Sequence, residues 1–266
     1  MTPTGGVVAQ LRAAGCVFAE DEARLLIAAA AETGADLSDL VAQRVSGTPL
    51  EYLLGWTEFH GIRVAVAPGV FVPRQRTAFL VDEAADLARA MPQHPVVVDI
   101  CCGSGALGLA LAHTLATEGR PIELAATDIE PAAVECARRN LTPIGAPVYA
   151  GDLFEPLPRE LCGRINILLA NTPYVPSAMI TKMPTEARDY EPRTALDGGP
   201  DGLDIFRRVV AAARTWLAPG GHLLVESTEA QALPSITVLT AHGLTGRIAE
   251  SDELYSTVVI GTKPDI

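Results

Sequence analysis

The sequence predicts an α/β fold, with a mostly parallel sheet covered by helices on both faces and preceded by a small helical segment and a β-hairpin. Three observations predict it. From Pro95 onward, short apolar runs alternate with stretches of helical spacing, the pattern of a doubly covered parallel sheet. A glycine-rich loop, Gly103-Ser104-Gly105, stands between the first of these runs and the first of these helices. Before Trp56, by contrast, the apolar residues repeat at helical spacing only.

The elements follow in order. Val7, Val8, Leu11 and Ala14 mark a first helix. Ala23, Leu26, Ile27 and Ala30 mark a second, after Glu20-Asp21-Glu22, whose charges favour a helix N-terminus. Asp36-Leu37-Ser38-Asp39 opens a third, and Gly47-Thr48-Pro49 stops it and opens a fourth. Residues 1–56 therefore read as a small helical domain suited to recognising a partner. Residues 57–75 read as a linker: Ile62, Val64 and Val66 alternate with Arg63 and Ala65, Pro68-Gly69 turns, and Val70-Phe71-Val72 returns as the second strand of a hairpin. A helix from Arg76 to Ala90 begins the third unit, 76–266.

There the expected strands are Val96–Ile100, Ile122–Thr127, Pro147–Ala150, Ile165–Ala170, His222–Glu226, Arg247–Ala249 and Thr257–Ile260. The expected helices are Gly105–Leu115, Pro131–Leu141, Leu203–Leu217 and Ala230–Ala241. Pro131 sits in the first turn, where a missing N–H costs nothing. A long loop is expected from Asn171 to about Asp201. The last two strands have no helix between them, so they should pair antiparallel.

Composition sets limits on function. With 48% hydrophobic residues in 266, the chain can bury a sizeable core. Its formal net charge of −12 repels phosphate backbones, so a nucleic-acid substrate is disfavoured. The five cysteines are odd in number and lack Cys-x-x-Cys spacing, which favours a reducing compartment over a zinc site or disulfide framework. No basic segment followed by an apolar core opens the chain, and the apolar run Leu25–Ala31 is too short to cross a bilayer. A cytoplasmic, monomeric protein is expected. His60, His94, His113, His222 and His242 are scattered without metal-ligand spacing, so no metal is expected.

Gly103-Ser104-Gly105-Ala106-Leu107-Gly108 fits G-x-G-x-x-G between a strand and a helix, where glycines let backbone approach a ligand. Asp128 ends the second strand, placed to bind ribose hydroxyls, with Ile129 following. Asp152, with Leu153, ends the third, placed to accept from an adenine amino group. These acids at strand ends point to a nucleoside-type cofactor. Asp99, just before the glycine loop, would repel a pyrophosphate and suits a cationic ligand. This favours S-adenosylmethionine, with its ammonium and sulfonium, over NAD.

At the end of the fourth strand stands Asn171-Thr172-Pro173-Tyr174. In open α/β sheets, ligands sit outside the carboxyl ends of strands. A polar amide, a fixed-φ proline and a tyrosine at such a place read as the acceptor side of a methyl-transfer site.

With these motifs the chain resembles class I S-adenosylmethionine methyltransferases. More narrowly, it is similar to the HemK/PrmC family of protein glutamine N5-methyltransferases, which modify peptide chain release factors. The resemblance runs through Gly47–Gly55, Glu58-Phe59-His60-Gly61, Val72-Pro73-Arg74, Asp99–Gly105 and Asp152-Leu153-Phe154. It is most distinctive in Glu191-Pro192, Ala195-Leu196, Gly198-Gly199 and Asp201-Gly202-Leu203. The chain departs from the family pattern at Thr172, where the family has proline, at Cys101-Cys102 for Gly-Thr, and at Ala78, where an acid is usual.

The resemblance implies a Rossmann-like seven-stranded methyltransferase sheet. It also implies S-adenosylmethionine as methyl donor, S-adenosylhomocysteine as product, and a release factor or relative as protein substrate. Cofactor contacts would come from Asp99, Cys101, Gly103, Ser104, Gly105, Asp128, Ile129, Asp152, Leu153 and Asn171. The Asn171 side-chain oxygen and the Thr172 carbonyl would accept from the amide NH2, with Pro173 and Tyr174 shaping the site. An adenine N6-methyltransferase, a small-molecule N-methyltransferase and an inactive cofactor-binding protein are the alternatives.

Overall fold

The computed structural model describes residues 3–91 and 94–265. Residues 1 and 2 of the expected first domain, and 92, 93 and 266 of the expected third unit, lie outside the described residues.

The chain opens with α1 (Pro3–Ala13), α2 (Ala19–Thr33), α3 (Leu37–Val45) and α4 (Leu50–Leu54). Glu20, Asp21 and Glu22 occupy the first turn of α2, and Gly34 ends it at φ +75°. Asp36 caps α3 by accepting from the Ser38 and Asp39 N–H groups. Leu11, Ala19, Ala23, Leu26, Leu40 and Val41 close the small core between these helices.

The hairpin differs from expectation. Its strands are β1 (Trp56–Phe59) and β2 (Ile62–Ala65), and its turn is His60-Gly61. Both turn residues have positive φ, +48° and +74°, as a tight two-residue hairpin requires. Pro68-Gly69 is a later bend. Val70 and Val72 pack as buried side chains beside Tyr52 and Val66 instead of forming a strand, and the Tyr52 hydroxyl donates to the Val70 carbonyl at 2.8 Å.

The remainder is α5 (Ala78–Arg89), β3 (Val96–Ile100), α6 (Ala106–Thr117), β4 (Glu123–Asp128), α7 (Pro131–Leu141), β5 (Val148–Ala150) and β6 (Ile165–Ala170). Then come α8 (Thr185–Tyr190), α9 (Asp204–Trp216), β7 (Leu217–Ser227), α10 (Glu229–Ala241), β8 (Thr245–Ser251) and β9 (Ser256–Thr262). Seven strands form one sheet in the order β5-β4-β3-β6-β7-β9-β8. The first five run parallel and β9 lies antiparallel between β7 and β8. The α/β class and the antiparallel final pair are as the sequence predicts. The expected long loop is partly ordered: it holds α8 and 3₁₀ turns at Ser177–Lys182 and Arg193–Ala195.

Strand alternation divides the core. Val97, Ile167 and Leu169 face α5 and α6, while Val98, Ile100, Leu168 and Ala170 face the side covered by α9 and α10. The strand order reverses between β3 and β6, at the switch point where ligands bind in such sheets. Among the described residues, no helix is long and apolar enough to cross a membrane.

The helical segment is tied to the loop after β6. Arg44 of α3 pairs with the buried Glu22 through Nε at 2.6 Å, and it also bonds the Thr48 carbonyl and Glu186 of α8.

Candidate functional site

A cavity of about 520 Å³ opens at the switch point. One wall is the loop Cys101–Ser104 with Asp128, Ile129, Asp152 and Leu153; the facing wall is Asn171, Thr172, Pro173 and Tyr174. Two of the residues expected at the cofactor do not line it. Asp99 lies on the Val97 face of β3, fully buried under α6, where its Oδ2 accepts the Gly108 N–H at 3.0 Å. It therefore caps α6 from beneath instead of facing a cationic ligand. Burial pushes its acid up to about 8, against the Gly108 hydrogen bond and with help from Asp128. Gly105, at φ +77°, serves packing: a Cβ there would stand 2.9 Å from Leu141.

The remaining cofactor-side residues come together. The Asp128 Oδ2 accepts from the Gly103 N–H at 2.8 Å and its Oδ1 from the Glu130 N–H at 2.9 Å, so this acid shapes the glycine loop as well as the cavity. Burial raises its pKa. Ser104 Oγ is buried without a hydrogen-bond partner among the described residues. Asp152 pairs with Arg208 of α9. Cys101 sits at φ +52°, a conformation that costs a β-carbon-bearing residue about 1–2 kcal/mol and suits glycine. Burial pushes both the Cys101 and Cys102 thiols up, so neither supplies a thiolate.

On the facing wall, Asn171 extends β6 past Ala170. Its Oδ1 is buried and, among the described residues, without a partner, an arrangement that costs about 1–3 kcal/mol until a donor arrives. Among the described residues, no donor engages the Thr172 carbonyl either. Burial pushes the Tyr174 phenol up to about 12, so it stays protonated.

The segment from Glu191 to Leu203 forms the frame behind this wall. The Val175 N–H donates to the Leu196 carbonyl and the Gly198 N–H to the Val175 carbonyl, each at 2.9 Å. Gln231 Nε2 donates to both the Tyr174 and Asp201 carbonyls at 2.9 Å. The approach is so close that a Cβ on Gly198 would meet the Pro173 carbonyl oxygen at 2.6 Å.

Sequence reasoning missed the ion pairs. Arg74, Arg76, Arg193 and Arg208 line the cavity, and each is matched by a carboxylate: Glu191, Glu226, Asp197 and Asp152. Arg74 Nη2 reaches both Glu191 oxygens at 2.6 and 2.7 Å. The partners of these two inner pairs lie 117 and 150 residues apart, so no local pattern joins them. Asp128 and Glu130 have no cationic partner among the described ion pairs, while the lining as a whole carries four arginines and four carboxyls and is formally neutral. Arg74 and Glu191 each stand in a motif that the resemblance singles out; only the fold shows them as one unit. Among the described residues, no group of three acids, histidines or cysteines is placed to hold a metal.

Residues 61–187 match the family model described as "Methyltransferase small domain". A protein named release factor glutamine methyltransferase from Geobacter sulfurreducens is 42% identical over 189 residues, 70% of this chain and 63% of that protein. One of the same name from Mycolicibacterium smegmatis is 38% identical over 228 residues, 81% of this chain and 78% of that protein. Among solved structures, a T. thermophilus 16S rRNA methyltransferase in complex with AdoMet and guanosine is 18% identical with a TM-score of 0.55. It covers 78% of this chain and 49% of that one, a likeness of fold.

Proposed function

The chain belongs to the release factor glutamine methyltransferase family, and from that premise we propose that it transfers a methyl group from S-adenosylmethionine to the side-chain amide nitrogen of a glutamine in a release factor. The observation that carries the reading is the Asn171 Oδ1, a buried acceptor without a donor beside a cavity whose opposite wall is the glycine loop.

The residues present fit the cofactor. Gly103 and Ser104 offer close backbone approach and a free hydroxyl. Asp128 retains lone pairs for ribose hydroxyls, and Ile129 is an exposed apolar side chain at the cavity wall, suited to a flat base. With every lining arginine paired, Asp128 and Glu130, which have no cationic partner among the described ion pairs, favour a ligand bearing sulfonium and ammonium charges. S-adenosylmethionine, when bound, supplies an electrophilic methyl group on sulfur and leaves as S-adenosylhomocysteine.

The chain's own part is positioning. An amide nitrogen is a weak nucleophile because its lone pair is delocalised into the carbonyl. Acceptance of its two N–H bonds by Asn171 Oδ1 and the Thr172 carbonyl orients it and raises electron density at nitrogen as the methyl arrives. A backbone carbonyl does the second accepting, so threonine serves where the family has proline. Pro173 holds φ near −65°, and the Tyr174 ring forms a flat wall for the amide plane. The product sheds its proton to water after transfer, so no general base of altered pKa is required.

The same electrostatics oppose a nucleic-acid substrate. Every arginine at the cavity is already neutralised by a carboxylate, which leaves none free for phosphate. The reading includes a cytoplasmic, monomeric enzyme whose helical segment helps dock the protein substrate. The test is incubation with methyl-labelled S-adenosylmethionine and, separately, release factors, DNA and small metabolites. Label on a release-factor glutamine is expected. Label on adenine would overturn the reading, and cofactor binding without label would mark an inactive relative.

A further inference from the structure

Tyr174 is held from two sides by residues that no motif connects to it. Glu226 stands near the end of β7, beside the acceptor wall, because Ala170 pairs with Val225. Its side chain is 2% exposed. Its Oε1 accepts from the Tyr174 hydroxyl at 3.0 Å and from Arg76 Nε at 3.0 Å. Arg76 Nη2 in turn donates to the Tyr174 oxygen at 2.5 Å, which closes a ring of three hydrogen bonds. Arg76 comes from the 3₁₀ turn before α5, at the cavity rim, with 43% of its side chain exposed.

We propose that Arg76 and Glu226 are positioning residues that fix the plane of the Tyr174 ring, and through it the angle at which the acceptor amide meets the methyl group. The proposal rests on the reading of Asn171–Tyr174 as the acceptor side. The Tyr174 oxygen lies on the χ2 axis, so two hydrogen bonds from different elements pin the far end of the ring, and the phenol O–H, which prefers the ring plane, ties that plane to the direction of Glu226 across an otherwise broad torsion.

Stability alone gives no reason for the arrangement. A buried carboxylate with an arginine gains little over well-packed apolar residues of the same volume. Glu226 also leaves its second oxygen, Oε2, buried without a partner among the described residues. The ring of bonds further defines what Tyr174 does not do. Its proton is committed to Glu226 and its oxygen to Arg76, so the phenol acts as a wall and not as a proton carrier.

Three variants test this in the full-length enzyme with a release factor as acceptor: Glu226→Gln, which keeps the volume, Arg76→Met, which strands the buried Glu226 and is assayed well below its own melting temperature, and Tyr174→Phe. Glu226→Gln and Arg76→Met should each lower kcat about 10-fold or more, as expected for loss of orientation, with S-adenosylhomocysteine affinity within about threefold of wild type. In a Tyr174→Phe background the same two changes should cost nothing further, because the hydroxyl through which they act is gone. Undiminished kcat in both single variants overturns the inference. So does an equal further loss in the phenylalanine background, which would mark a general structural role. Wild-type enzyme is run alongside. If it puts no label on glutamine, the functional reading falls and takes this inference with it; if it does and the variants match it, the inference alone falls.

Discussion

Replacing Arg74 with methionine leaves Glu191 stranded. The Glu191 side chain is 2% exposed, and without Arg74 it would keep only the Val72 N–H, at 3.2 Å. Removing one partner of a buried pair costs about 3–5 kcal/mol. Arg74 is 32% exposed, so water can reach part of the vacated space, which favours the lower end of that range. For a domain of this size, about 3 kcal/mol lowers Tm by roughly 6–12 °C.

The loss should depend on pH. Burial already holds the Glu191 pKa above its ordinary value, with Arg74 opposing the rise. A carboxylate with a raised folded-state pKa contributes stability below its unfolded pKa and loses it as pH rises through the folded value. Without Arg74 that folded value moves higher still. The deficit of Arg74→Met relative to wild type should therefore be large at pH 8 and shrink towards pH 5, as Glu191 takes up a proton and no longer needs a counter-ion. Adding Glu191→Gln should recover much of the deficit at pH 8. Thermal melts followed by circular dichroism measure all three proteins. A deficit equal at both pH values, or a double variant no more stable than Arg74→Met, would refute the argument.

Other outcomes follow from the same geometry. Asn171→Ala should bind S-adenosylhomocysteine normally by calorimetry while glutamine methylation falls about 100-fold or more, the scale for losing one preorganised partner of the reacting group. Gly198→Ala should slow single-turnover transfer about 10-fold while sparing cofactor affinity, because the new Cβ presses on the Pro173 carbonyl and on Gly202, both backbone that cannot swing aside. Asp99→Asn should gain thermal stability relative to wild type as pH rises from about 5 to about 8 and no further above it, because between its unfolded pKa and a folded value of about 8 the wild-type Asp99 holds a proton that only the folded state keeps, and the amide has none to lose.

Much of the fold is legible in the sequence because its signals are local. Pro131–Leu141 and Ile165–Ala170 begin and end where proline placement and apolar runs put them. The hairpin turn is misread because Pro68-Gly69 is the stronger turn dipeptide, whereas His60-Gly61 makes the turn with both residues at positive φ. Asp99 shows the effect of strand parity: a residue next to a glycine loop need not face it, and this one points under α6. Asp128 shows how much a side chain can hold besides a ligand, since it also fixes two backbone N–H groups. Least legible are the pairs that set the charge of the cavity. Arg74 with Glu191 and Arg76 with Glu226 depend on which strand ends become neighbours, and that is a property of topology.

The position of β9 between β7 and β8 bears on how the enzyme matures. β8 and β9 are joined by a short connection and form as a local hairpin, an event of about 1–10 μs. Docking β9 on β7 joins segments distant in the chain and comes later, since loop closure must precede the gain from pairing. That docking sets Glu226 opposite Val258 and gives its strand a second neighbour. The strands that carry the glycine loop, Asp128 and Asp152 need no such late arrival. During refolding, affinity for S-adenosylhomocysteine should therefore return before methyl transfer, with the lag set by the docking of one hairpin.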